Sequence, residues 1–329
     1  MHIFSEERIR ALYTMPEAIR DIRKALVHYT QGGIDNPHRT VLDFPERRAS
    51  ILYMPSALAA EGFAAVKVVS IFPENPKVGK RTTRGVILLN ETETGEPLAL
   101  LDASYLTRLR TGAASAIATD HLAKPSASVL AVIGCGKMAE EQVTGILCVR
   151  KIGSILLYNR TEERAWQFAR RIEEKLEDFS GTIQVVGSAD EAIEQADIVI
   201  CATRSCTPVF SGKRLRPGTH VNGIGSYLPH MQEVDEETVL RSSKIVVDTL
   251  EGAREEAGDL IIPAKKGLWD FRKVHGELGE LAAGKIPGRE REEEITFFKS
   301  VGIAFFDLAV ASAVFRKGKS LHAGTVVEL

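Results

Sequence analysis

Cysteine is scarce in this chain, and the four that occur, Cys135, Cys148, Cys201 and Cys206, match neither a disulfide framework nor a metal-ligand spacing. A disulfide-stapled scaffold and a thiolate metal centre are therefore not expected; free thiols are. The histidines do not restore a metal reading, because His28, His38, His121, His220, His230 and His275 share no ligand spacing. An excess of one charge sign is missing too. With 42 Lys and Arg against 44 Asp and Glu, dispersed along the chain, nothing draws the protein toward nucleic acid or an anionic membrane. Long hydrophobic runs are absent: the most apolar late segment, residues 301–315, is too short to span a bilayer and carries Asp307, so a buried helix is expected there. The opening MHIFSEERIR lacks the apolar centre of a secretory leader. Together these absences leave a cytoplasmic protein acting on small molecules as the expectation.

What is present is an ordinary globular composition, 44% hydrophobic and 26% charged, over 329 residues. That length suits two domains better than one core. Early in the chain Thr14, Pro16 and Glu17 form a capping-box signal for a helix ending at Gly32-Gly33. Apolar, β-branched stretches at 40–44, 49–55, 62–72 and 85–103 follow, the last with Thr94-Gly95 as a hairpin turn. A helix is expected from about Asp102 to His121. Past Lys124-Pro125 the rhythm changes. Apolar runs at 128–133, 154–159, 182–187, 197–203, 220–225 and 244–249 alternate with charged helical patterns such as 161–177 and 233–243. This predicts an α/β fold: a Rossmann-type doubly wound parallel sheet, beside an α+β domain on a mostly antiparallel sheet.

Gly134, Gly136 and Ala139 form G-x-G-x-x-A directly after the first of the later strands. Gly134 permits the turn, Gly136 lets backbone approach a pyrophosphate, and Ala139 lets the helix sit close to the strand. The helix start, with Lys137 and Met138 in its first turn, offers unpaired N–H groups to the anion. The second strand ends Tyr158-Asn159-Arg160-Thr161, without the acid that NAD-selective sites usually place there. A guanidinium suits a 2′-phosphate, so NADP is expected ahead of NAD. Thr203 and Ser205 follow the fourth strand, where loops line the crevice of such sheets.

The run LTRLRTGAASAIATDHLAKPSASVLAVIGCGKMA, followed by YNRTEE, NGIGSYLPHMQEVD and ITFFKSVGIAFFDLAVA, resembles the ornithine cyclodeaminase/μ-crystallin family of nicotinamide-dependent enzymes over nearly the whole chain. The resemblance implies hydride transfer between the nicotinamide and the α-carbon of an amino or imino acid whose carboxylate is clamped by cations. At the matching positions stand Arg39, Lys67 and Arg110, with Lys67 and Arg110 expected to act in catalysis. Lys67 has support of its own: within an apolar strand pattern an unpaired lysine is costly, which suggests a task. The resemblance also implies Thr83 near the substrate, Thr111 on cofactor phosphate or ribose, and Gly223, Gly225, Ser300 and Val301 close to the nicotinamide. Asp307 is expected to orient a neighbour or to complete a structural network.

Ornithine cyclodeaminases themselves differ from this chain at two acids, whose places are read here as Ser226 and Leu52. Without them a second substrate amine loses its partners, Ser226 becomes a neutral substrate contact, and ornithine is demoted. The expected reaction is NADPH-dependent reduction of an imine bearing a carboxylate, a cyclic ketimine or one formed from a 2-oxo acid and an amine. The alternatives, in order, are an alanine-type amino-acid dehydrogenase, ornithine cyclodeamination and non-catalytic ligand binding. The implied organisation is a substrate-binding and dimerisation domain, residues 1–124 rejoined by 312–329, and a Rossmann domain, residues 125–311, with the active site between them. A homodimer paired through apolar strands of the first domain is expected, and no metal.

Overall fold

In the computed structural model, which describes residues 1–328, Thr14 and Glu17 close the expected capping box. Glu17 Oε2 accepts from Thr14 N at 2.9 Å and from its hydroxyl at 2.8 Å, opening helix Met15–Thr30. The strands of this part of the chain are β1 (His2–Phe4), β2 (Thr40–Phe44), β3 (Ala49–Leu58), β4 (Phe63–Ile71), β5 (Thr83–Glu91) and β6 (Pro97–Asp102). β2 to β6 form an antiparallel meander, and β1 adds in parallel to β6. Period-two patterning sorts its residues between faces. Leu52, Met54, Phe63, Ala65 and Lys67 are buried, and Leu52 and Met54 pack with Ala304 at the start of helix Ala304–Ser320. Val41, Leu42, Phe44, Tyr53 and Val86 are exposed.

The chain divides into two compact units, residues 1–110 with the segment from Ile303 onward, and residues 111–302. Both divides fall earlier than the 124/125 and 311/312 boundaries read from sequence. The first lies inside helix Ala103–Leu122, between Arg110 and Thr111, because the second half of that helix packs elsewhere. A Cβ on Gly145, in helix Lys137–Val149, would stand 2.6 Å from Gly112 O and 3.4 Å from Ala116 Cβ, so only glycine allows this approach. Arg150 then caps the end of helix Ala103–Leu122, donating to Thr119 O, Asp120 O and Ala123 O at 2.8–3.1 Å.

The second unit is built on β7 (Val129–Ile133), β8 (Ser154–Tyr158), β9 (Thr182–Val185), β10 (Ile198–Cys201), β11 (His220–Gly223), β12 (Lys244–Val247), β13 (Gly276–Glu277) and β14 (Thr296–Lys299). All eight pair in parallel in the order β13-β12-β14-β11-β10-β7-β8-β9. This is a Rossmann-type sheet with apolar clusters on both faces, and strand order reverses between β7 and β10. Six of the strands were expected. β13 and β14 were not, although β14 lies inside the sheet. It is four residues long, ends in a lysine and runs into apolar helical sequence, so period carries no signal there. The helix expected over 233–243 is confined to Glu236–Arg241, since Asp235 caps it by accepting from Thr238 N at 2.8 Å.

A final strand, β15 (Thr325–Val326), pairs antiparallel with β1 in the first unit. Among the described residues no helix is long and apolar enough to cross a membrane.

Candidate functional site

Two constellations carry chemistry, one in each unit. In the first unit Lys67 takes a core position on β4, paired across the sheet with Met54 and Ile87. Only 3% of it is exposed. Its Nζ lies 2.9 Å from Oδ2 of Asp307, in the first turn of helix Ala304–Ser320. That helix start also favours a carboxylate through its dipole. Arg110 approaches the same acid, Nε standing 3.4 Å from Asp307 Oδ1, yet neither atom has a hydrogen-bond partner. Burial lowers the Lys67 pKa to about 8; Asp307 opposes the shift, while the positive charges of Arg110 and Arg39 add to it. Lys67 and Arg110 thus meet at Asp307, and Arg39 is near enough for its charge to act on Lys67. Asp307 was read only as orienting or structural, and its partners could not be found from a one-dimensional pattern. Leu52 belongs to the neighbouring apolar cluster, so that position offers no acid.

The second unit presents a cleft of about 470 Å³ at the carboxyl ends of β7, β8 and β10, beside the point where strand order reverses. Gly134 adopts φ +96°, and a Cβ there would meet Thr203 Cγ2 at 2.7 Å. A Cβ on Gly136 would meet nothing within 4 Å, which leaves room for a ligand against the backbone. Gly136 is also the N-cap of helix Lys137–Val149 and supplies no side-chain bond; Ala139 N donates to Gly136 O at 3.1 Å, and the earlier N–H groups of the turn face the helix's N-terminal end, where an anion is favoured. Ala139 is fully buried in the core. These features fit a dinucleotide pyrophosphate. Asn159, Arg160, Thr161, Thr203 and Ser205 line the cleft with Arg164 and Arg204, and no carboxylate is among its lining residues. The neighbouring acids are engaged along their own helix, Glu162 with Trp166 Nε1 and Glu163 with Gln167 Nε2. Arg164 escaped the sequence reading although its spacing of four from Arg160 was a visible signal.

Other expected residues are placed differently. Lys137 is exposed and Met138 half-buried in the helix start, outside the cleft lining. Ser226, expected as a substrate contact, is fully buried, its hydroxyl donating to Asp259 Oδ2 and accepting from Lys299 Nζ. Ser300 donates to Asp248 Oδ2 at 2.9 Å, as do the backbone N–H groups of Val301 and Gly302 at 2.9 and 2.7 Å; this turn directs those donors inward. Gly223 is a packing glycine, its absent Cβ 2.8 Å from the Phe297 ring. Gly225 packs against Thr203. Thr111 is buried in helix Ala103–Leu122. Thr83 begins β5 opposite Ile71, four residues before the Ile87 that pairs with Lys67. Among the described residues no group of three or more His, Cys, Asp or Glu could hold a metal ion.

The sequence model of the ornithine cyclodeaminase/mu-crystallin family matches residues 2–321. A Δ1-pyrroline-2-carboxylate reductase of Bacillus cereus is 43% identical over 330 residues, covering 100% of each chain. The structure of Thermococcus litoralis Δ1-pyrroline-2-carboxylate reductase in complex with NADH and L-proline is 40% identical with a TM-score of 0.96, covering 99% of this chain and 100% of that one. An archaeal alanine dehydrogenase dimer with bound NAD is 36% identical with a TM-score of 0.92, covering 100% of this chain and 99% of that one. The chain belongs to the ornithine cyclodeaminase/mu-crystallin family.

Proposed function

We propose that this member of the family is an NADPH-preferring reductase of cyclic imino acids of the pyrroline-2-carboxylate kind. The observation that carries the reading is the buried cluster of Lys67 and Arg110 against the single acid Asp307, with Arg110 Nε left without a hydrogen-bond partner. A substrate carboxylate supplies the missing negative charge and the missing acceptor. When bound, the nicotinamide supplies the hydride. Arg110 and Arg39 hold the carboxylate, and Lys67, with a pKa brought near 8, gives a proton to the imine nitrogen near neutral pH. Asp307 fixes the Lys67 ammonium in place. The apolar packing of Leu52 leaves a second substrate amine without an acid there, which disfavours ornithine.

The preference for NADPH rests on Arg160, Arg164 and Arg204 in a cleft without a carboxylate, a donor set suited to a 2′-phosphate. The solved relatives hold NADH and NAD, so both cofactors belong in the test. The experiment is a panel of pyrroline-2-carboxylate, piperideine-2-carboxylate, pyruvate with ammonia or methylamine, and ornithine. Fast NADPH oxidation on a cyclic imine with little proline from ornithine is expected. Faster reduction of pyruvate with ammonia would favour the alanine-type reading, and efficient ammonia release from ornithine would overturn both.

The apolar sheet face bearing Tyr53 and Val86, exposed in the single chain, supports a homodimer in which a second copy covers it. Light scattering should give twice the chain mass, and Tyr53→Glu should shift the protein toward monomer.

A further inference from the structure

Resting on the reading of the second unit's cleft as a dinucleotide site, we propose that Glu233 is a positioning residue that pins the loop after β10, which walls the cleft, to the loop after β11. β10 and β11 pair as far as Cys201 and Gly223, and Ile224 N still reaches Cys201 O at 3.0 Å. Beyond that point the Glu233 carboxylate takes over from the backbone ladder. Its Oε1 accepts from Thr203 N at 2.5 Å and Thr203 Oγ1 at 2.8 Å, and its Oε2 from Gly225 N at 2.6 Å and Ser226 N at 2.8 Å. Four donors fill both oxygens; burial pushes the Glu233 carboxyl upward, and Lys299 and the Thr203 donors oppose that push.

Glu233 is itself held. Its backbone N–H donates to Asp259 Oδ1 at 2.6 Å, and the other Asp259 oxygen receives the Ser226 hydroxyl and Lys299 Nζ, the latter at 2.8 Å. Lys299 completes its valence on Ser226 O and Oγ, both at 2.6 Å. Glu233, Asp259, Lys299 and Ser226 are all fully buried, and none is needed by the proposed chemistry. One of the pinned residues reaches the cleft. Thr203 lines it, its Cγ2 fills the space beside Gly134, and Gly225 lies so close to Thr203 N and O that no Cβ fits between them. A loosened Thr203 would move against the glycine turn that receives the pyrophosphate.

The test is Glu233→Gln, in which one accepting oxygen becomes a donor that faces at least one backbone N–H group whichever way the amide turns. NADPH and NADH binding are titrated directly by cofactor fluorescence, without imine, beside steady-state kinetics and thermal unfolding. Both dissociation constants should rise about tenfold or more in the same proportion, while kcat at saturating cofactor and the KM for the imine stay within about twofold. Unchanged cofactor binding in a folded variant would overturn the inference, as would equal losses in kcat and imine KM. If Glu233→Gln does not fold, Gly225→Ala takes its place: a methyl there pushes Thr203 away from Glu233 and should give the same cofactor-specific loss. Its absence counts equally against the inference. A wild-type protein that bound neither dinucleotide would instead defeat the reading of the cleft.

Discussion

The two units each bury a lysine among carboxylates, and they treat it in opposite ways. Around Lys299 the count closes: two carboxylates, one ammonium and a serine hydroxyl satisfy one another, with backbone N–H groups filling the remaining acceptor sites. Around Lys67 it does not: Lys67 and Arg110 meet one acid, and Arg110 Nε and Asp307 Oδ1 lack hydrogen bonds. Buried charge costs several kcal/mol unless paired and hydrogen-bonded. The saturated cluster therefore serves the fold, whereas the open one is stabilised when a ligand completes it. Burial alone marks both lysines; unfilled valence separates scaffold from site.

The sharpest way to break this comparison is the same substitution at both lysines. Lys299→Met should destabilise the protein by about 3–5 kcal/mol, because two buried carboxylates lose their cation. Lys67→Met should leave stability within about 1 kcal/mol, since Asp307 keeps Arg110 and crowding among cations is relieved, yet lower kcat by about 10²–10⁴ through loss of the proton donor. Urea unfolding and steady-state kinetics on both variants decide it. Equal destabilisation would erase the distinction, and a Lys67→Met loss confined to imine KM would reduce that lysine to an electrostatic role.

Arg110→Leu comes next. Losing a charge-assisted partner for the substrate carboxylate should lower kcat/KM about 10²–10³-fold in a folded protein. Catalytic efficiency unchanged on every imino acid would remove Arg110 from the site.

The pH dependence follows with a smaller effect and two opposite signs. Lys67 is lowered to about 8 by burial, so above that pH the folded protein releases a proton that the unfolded chain keeps up to the ordinary lysine range. Over that window the unfolded state binds more protons, and the Lys67 contribution to stability rises with pH. Imine reduction, which uses the proton, should fall about tenfold per pH unit above 8. Comparing wild type with Lys67→Met isolates both components. A reduction profile flat to about pH 9.5, well past the lowered Lys67 pKa, would show that Lys67 is not the donor.

How much of this was legible in the sequence depended on whether the signal was local. The capping box at Thr14 and Glu17, the glycine turn and six of the eight parallel strands rest on neighbouring residues or on a short period, and they are where the sequence put them. Lys67 was legible as a misfit, a charge at an apolar position. Its acid was not, because Asp307 lies 240 residues away and nothing local ties the two together. The partners of Ser226 were illegible for the same reason: Asp259 and Lys299, which engage its hydroxyl, come from distant segments. β14 was missed because its apolar residues lead through Lys299 into the apolar sequence of helix Ala304–Ser320, which hides the strand's end, although Lys299 is buried as deeply as its phenylalanines.

The smallest expected effect sharpens the comparison at the cleft, where charge is exposed rather than buried. Arg160 is solvent-exposed, so its attraction for a 2′-phosphate is screened, and it shares the cleft with Arg164 and Arg204. A charge-assisted hydrogen bond contributes about 1.5–3 kcal/mol at best. Arg160→Ala should therefore erode the NADPH over NADH preference by only about tenfold, leaving kcat and imine KM unchanged. Adding Arg164→Ala should erode it further, since Arg164 lines the same cleft. The readout is the ratio of kcat/KM for the two cofactors, measured at low and moderate salt. A preference that fades with salt in the wild type but not in the double variant would locate the selectivity in these arginines. Equal use of both cofactors by the wild type would show that the missing acid at the end of β8 has not been turned into selection for phosphate.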